Sequence, residues 1–101
     1  MTIRILYFEG CPNHAQTLQA VRDVLRHLDV DAVVREVEVK SAEDASRLRF
    51  FGSPTVQVEG EDIDPAIRGR SDFSFSCHIY GRAGTPPREM IERAIRERMT
   101  A

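Results

Sequence analysis

Cysteine is scarce in this chain of 101 residues, which holds only Cys11 and Cys77. A small secreted scaffold held by disulfides needs more, so that class is excluded. The two cysteines are then free thiols, metal ligands or redox groups, or simply small buried apolar side chains. An excess of charge is missing too. Fourteen basic residues stand against sixteen acidic ones, a net charge of −2. Both signs are interleaved, which excludes a charged tail and the basic footprint of a nucleic-acid binder. No apolar run approaches the roughly 18 residues of a membrane span, so no membrane partner is expected. There are no internal repeats, linkers or low-complexity tracts. The chain does not start with a cationic stretch, an apolar run and a cleavage site, and a cytoplasmic protein is expected. It carries no P-loop, no G-x-G-x-x-G, no H-E-x-x-H and no serine-hydrolase elbow. No cofactor is expected.

What is present is an ordinary globular balance, 42% apolar and 30% charged. The length suits one core, and residues 1–101 are expected to form a single domain. Residues 3–8, Ile-Arg-Ile-Leu-Tyr-Phe, are β-branched and aromatic with little alternation, a strand buried on both faces at a sheet centre. Glu9 to Asn13 form a turn, and Pro12 suits the first position of a helix. From there Ala15, Leu18, Val21, Val24, Leu25 and Leu28 recur at helical spacing, and the helix ends near Asp29. Residues 32–39 alternate, with Val33, Val34, Val37 and Val39 set against Arg35, Glu36 and Glu38. This is a second strand with a polar face or an edge position. Ser41 is a good N-cap for a short helix over residues 42–50. The Phe51-Gly52-Ser53-Pro54 stretch breaks it, and residues 55–58 form a third strand closed by a turn at Glu59-Gly60.

Residues 61–72 read as a charged loop. Asp62 and Asp64 form a close acidic pair within it, but no glycine pattern makes a calcium loop. Residues 73–80 alternate Phe73, Phe75, Cys77 and Ile79 against Ser74, Ser76, His78 and Tyr80, which predicts a fourth strand. After a turn at 81–84, Thr85 caps a last helix with Pro86 and Pro87 in its first turn. Met90, Ile91, Ala94, Ile95 and Met99 are its buried stripe. The strand–helix–strand start requires a parallel pair with a right-handed crossover. The later hairpin is antiparallel. The expected fold is α/β: a four-stranded mixed sheet flanked by three helices, in the order βαβαββα.

This order, with two local motifs, resembles the thioredoxin-like superfamily, which includes thioredoxins and glutaredoxins. The first motif is Phe8-Glu9-Gly10-Cys11-Pro12-Asn13-His14, a cysteine after the first strand that opens the first long helix. The second is Gly52-Ser53-Pro54-Thr55-Val56, similar to the family's cis-proline loop ahead of the third strand. The resemblance covers the whole chain in element order and two short stretches in motif. It implies a thioredoxin-like fold, a cis Ser53–Pro54 bond, and Cys11 and Pro54 as catalytic residues, and His14, at the position of the family's second cysteine, completes the candidate catalytic set. It further implies Pro12, Ser53 and Thr55 as substrate contacts, with the Ser53 backbone offering an edge to a bound peptide or to glutathione. The family's usual C-x-x-C site departs here, because His14 replaces the second cysteine. A dithiol cycle within the motif is excluded. A monothiol cycle on a disulfide or thiol substrate remains, with an outside thiol such as glutathione as partner.

The residues themselves support a thiol chemistry. A thiolate is the nucleophile, and a helix N-terminus favours one through its unpaired N–H groups and its dipole. His14, three residues on, lies on a nearby face of the same turn and would tune the thiol. Each residue also has a plain reading: Cys11 as a buried thiol ending a strand, His14 as a solvated helix residue, Pro12 as a helix starter, Pro54 as a breaker between helix and strand. Cys77 shares a strand face with Phe73, Phe75 and Ile79, which favours a core thiol. A resolving role for Cys77 needs its Cα within about 7 Å of that of Cys11. A second function class stays open, a non-catalytic module that binds a metal (zinc, or a soft metal or organomercurial) or a partner peptide through Cys11, His14 and Cys77, with His78 beside them. Their spacing is not that of a zinc ribbon, and no metal site is assigned. Arg68, Arg70, Arg82 and Arg88 are either anion-binding residues or solvated ones.

Overall fold

The apolar first strand takes the middle of a sheet. In the computed structural model, which describes residues 1–69 and 85–99, the elements are β1 (Thr2–Tyr7), α1 (His14–Leu28), β2 (Val33–Glu38), α2 (Ala42–Leu48), β3 (Thr55–Val58), β4 (Glu61–Asp62) and α3 (Arg88–Met99). The strands form one mixed sheet in the order β2-β1-β3-β4. β1 runs parallel to β2 and antiparallel to β3, and β3 runs antiparallel to β4. The expected α/β class, four-stranded mixed sheet and three helices are present. The alternating valines of β2 lie at an edge, where Val33 is 52% exposed.

The pleat of β1 divides the core. Ile3 and Ile5 pack with Val21, Val24 and Leu25 of α1 and Ile91, Ala94 and Ile95 of α3. Leu6, pointing the other way, packs with Val39, Ala45 and Phe50 around α2. Successive side chains of a strand face opposite sides, so α1 and α3 cover one face and α2 the other. Each helix shows its local cause. Ser41 accepts a hydrogen bond from the Asp44 N–H (3.1 Å) and starts α2. Asp29, in the left-handed region at φ 54°, ends α1, its N–H donating to the Arg26 and Leu25 carbonyls.

Some expectations fall outside the described residues, and others need correction. The fourth strand expected over residues 73–80, with Cys77 and His78, lies outside the described residues, as does the turn at 81–84. Within the stretch expected to be a loop, Glu61–Asp62 pairs with β3 instead. The cause is the two-residue turn before it: Glu59 and Gly60 both hold positive φ, 52° and 86°. Such a turn matches the twist of a hairpin and folds the next residues back onto the strand. An acidic pair has poor strand propensity, which hid it from sequence.

Helix α2 ends at Leu48, two residues early, because Arg49 turns left-handed (φ 58°) and the Phe50 N–H closes back onto the Ala45 carbonyl at 2.8 Å. That closure drops Phe50 into the core. Helix α1 starts at His14, with Asn13 as N-cap, so Pro12 precedes it. Ala15 is exposed, and Thr17 takes the buried place, its hydroxyl donating to the Asn13 carbonyl at 2.8 Å. Helix α3 begins after Pro87, whose carbonyl accepts from the Met90 and Ile91 N–H groups, so Thr85 is not its cap. Met99 leaves the buried stripe and is 50% exposed.

Candidate functional site

The cysteine-bearing turn follows directly from β1. The Cys11 N–H donates to the Phe8 carbonyl (3.2 Å), and the His14 N–H reaches the Cys11 carbonyl at 3.5 Å. Cys11 therefore lies two residues ahead of the N-cap Asn13, and not in the first turn of α1. Its thiol is free and half-buried, which sets it apart from the core thiol of the plain reading. Pro12 beside it is exposed. Asn13 makes no side-chain cap bond.

His14 is held by two residues that the sequence reading did not single out. Its ring stacks on that of Tyr7, with centroids 3.8 Å apart and planes 11° from parallel. Its Nε2 lies 2.7 Å from Glu36 Oε1 of β2. The carboxylate oxygen sits off the N–H direction, so this is a close ion-pair contact when the imidazole is protonated rather than an aligned hydrogen bond. Glu36 stands opposite Ile5 in the parallel β1–β2 register, and that register carries it to the start of α1. A Tyr–His–Glu set spread over β1, α1 and β2 has no sequence signature, because its members meet only through strand pairing.

The second motif lies behind the first. The Ser53–Pro54 bond is cis, and Gly52 takes φ 117° to enter it. The Thr55 hydroxyl donates to the Gly52 carbonyl at 2.6 Å and closes the turn. Ser53 Oγ accepts from the Phe8 N–H at 3.3 Å. Phe8 thus joins the two motifs: its N–H holds the Pro54 loop, and its carbonyl holds Cys11. Ser53 and Thr55 are fully buried, and Pro54 is buried as well. The open main-chain edge that the resemblance implies for Ser53 is therefore covered, because the loop packs under the end of β1. Among the described residues, no three His, Cys, Asp or Glu side chains gather into a metal-binding group. None of the described helices is long and apolar enough to cross a membrane.

One further titratable group stands out away from this turn. Asp62 on β4 is 7% exposed. Its Oδ1 accepts the Asp64 N–H (2.9 Å), while its Oδ2 has no protein donor among the described residues. Burial pushes its carboxyl up to about 6, against the Asp64 N–H bond; the Asp64 charge adds to the rise, and the nearby Arg68 opposes it. In the sequence Asp62 shows only as half of an acidic pair, since its burial on β4 depends on the hairpin. Compared with known proteins, the chain matches no family model, no curated protein and no solved structure.

Proposed function

We propose that the chain is a thioredoxin-like monothiol protein, with Cys11 as the nucleophile in thiol–disulfide exchange. The observation that carries this reading is the joint at Phe8: a half-buried free thiol sits in a turn whose anchor residue also binds the Pro54 loop. A structural thiol would need no such support and would sit in the core. Cys11, as thiolate, attacks one sulfur of a substrate disulfide. A Cys11–substrate bond forms as the substrate bond breaks, and the other sulfur leaves as a thiolate that takes up a proton. An outside thiolate then attacks the substrate sulfur, so that Cys11 leaves free and the substrate carries the outside thiol in a new disulfide. Glutathione in a reducing cytoplasm would fill that part.

Pro12, exposed next to Cys11, is the substrate contact in this reading. His14 is a positioning residue that fixes the start of α1 against Tyr7 and Glu36. Ser53, Pro54 and Thr55 act through the turn they hold. Turnover of a small disulfide with glutathione should be lost in Cys11→Ser. Insulin-disulfide reduction should rise well above wild type in His14→Cys, which restores an internal resolving thiol. Equal insulin reduction by wild type and His14→Cys would overturn the monothiol reading. So would a Cys11–Cys77 disulfide that forms readily on mild oxidation.

A further inference from the structure

Residues 61–69 run from β4 along the outer side of β3 and carry the buried Asp62. A glycine at positive φ stands at each end, Gly60 at 86° and Gly69 at 87°, and a side chain placed at either would meet nothing within 4 Å. Both ends can therefore pivot without a clash. The ties between are few. β4 pairs with β3 through Gln57 and Val58 alone. The Ile63 N–H donates to the Val56 carbonyl at 3.0 Å. Arg68 Nε donates to the Asp62 carbonyl at 2.8 Å, and its guanidinium lies 3.6 Å from Glu97 of α3. Arg98 of α3 lies 3.1 Å from Glu61. Ile63 belongs to the core under α1 and α3, Ile67 is buried outside both core clusters, and no residue of the segment belongs to the core around α2.

Asp62 stands at the centre of these ties. Its Oδ1 accepts the Asp64 N–H (2.9 Å), while its Oδ2 is closed off from solvent and meets no donor among the described residues. Its neighbours do not supply one. Glu61 and Asp64 are acidic, and Arg68 commits its Nε to the Asp62 carbonyl. Across the strand pair stands Gln57, whose oxygen accepts from Arg4 of β1 (2.7 Å) and whose amide nitrogen donates to the Leu48 carbonyl of α2 (2.9 Å). Arg47 and Arg49 line a cavity of about 420 Å³ on the α2 side of the hairpin. From α3, Glu97 pairs with Arg68 and Arg98 with Glu61. A neutral carboxyl tolerates this place. A carboxylate does not, because a buried charge without a donor costs far more than a buried neutral group. Reaching water requires only the release of this segment, a small unit against the whole chain. We propose that residues 61–69 form a proton-operated strap, closed on β3 and α3 while Asp62 is neutral and driven toward an open state, as a unit, by its ionisation. The inference is independent of the thiol chemistry, since none of its residues belongs to the Cys11 turn.

The raised Asp62 carboxyl gives the direction: the closed strap holds the proton more tightly than the open one, so opening is favoured as pH rises through about 6. Amide hydrogen exchange of the intact chain, followed by NMR with each rate divided by its intrinsic value at that pH, tests it. Protection of the Ile63, Asp64 and Ile67 amides should fall by about fiftyfold between about pH 4 and about pH 8. Low urea should leave that protection unchanged, because opening the strap exposes little surface. The Ile5 and Leu6 amides of β1 should be better protected and steeply dependent on urea, as whole-chain unfolding requires. In Asp62→Asn, which keeps the acceptor for the Asp64 N–H, the fall with pH should vanish while the far-UV circular dichroism stays that of wild type. In wild type, with no variant needed, the fall should level off at the pH where the Asp62 carboxyl carbon titrates. The proposal is overturned if the three amides keep the same protection at every pH, if Asp62→Asn shows the wild-type profile, or if the fall levels off away from the Asp62 titration. It is also overturned if the three amides share the urea slope of the β1 amides, since the whole chain would then be opening.

Discussion

The Asp62 carboxyl makes a strong statement about stability and pH. Burial on β4 raises it from the ordinary 3.8 to about 6. The folded chain therefore holds this proton more tightly than the unfolded chain. The stability that Asp62 contributes is complete below about pH 3.8 and is lost as pH rises through about 6. Each pH unit of separation is worth about 1.4 kcal/mol, so the whole swing is about 3 kcal/mol. Asp64 and Arg68 act on the carboxyl from its own segment. Glu97 of α3 pairs with Arg68, Arg98 of α3 pairs with Glu61 next to Asp62, and Arg47 and Arg49 line the same cavity from the α2 side. Asp44 works in the opposite sense, held below its usual value by a hydrogen bond from Arg47, so its contribution fades as pH falls. Comparison of wild type with Asp62→Asn cancels these shared groups. With no tryptophan in the chain, urea unfolding is best followed by far-UV circular dichroism. Relative to the variant, wild type should gain up to about 3 kcal/mol between about pH 7.5 and about pH 4. Parallel pH profiles for the two proteins would refute the assignment of this proton to Asp62.

Three other outcomes are expected. Phe50→Ala should cost about 3–5 kcal/mol in urea unfolding, since the ring is fully buried against Leu6, Val39 and Ala45. Ser41→Ala should cost about 0.5–2 kcal/mol by the same measurement, with Ser41→Asp close to wild type, because only the oxygen that accepts from the Asp44 N–H is required. Brief alkylation near neutral pH followed by peptide mapping should label Cys11 before Cys77. Preferential labelling of Cys77 would reverse the choice of nucleophile.

Much of the architecture was legible because it is local. The apolar run of Ile3, Ile5 and Leu6, the helical spacing of Val21, Val24 and Leu25, and the cap at Ser41 depend on neighbours a few residues away, and periodicity reports those neighbours directly. The Cys11 turn and the Pro54 loop were recognisable as short motifs for the same reason. Helix ends were less legible. Arg49 closes α2 in the left-handed region, which few non-glycine residues take and which no composition rule anticipates there, whereas the end of α1 near Asp29 followed from its periodicity.

Tertiary structure decided the rest through contacts between residues far apart in the chain. The parallel β1–β2 register brings Glu36 to His14, which sequence placed beside Cys11 alone. Antiparallel pairing of β1 with β3 brings Ser53 under Phe8, so that a loop expected to offer its backbone became a buried support. A hairpin built on two positive-φ residues turned an acidic stretch into a strand and buried Asp62 beside a cavity. In each case the deciding quantity is a hydrogen-bond register. A slip of one residue would reverse which side chains face inward, and nothing in the local pattern of Glu36, Ser53 or Asp62 records which register the sheet adopts.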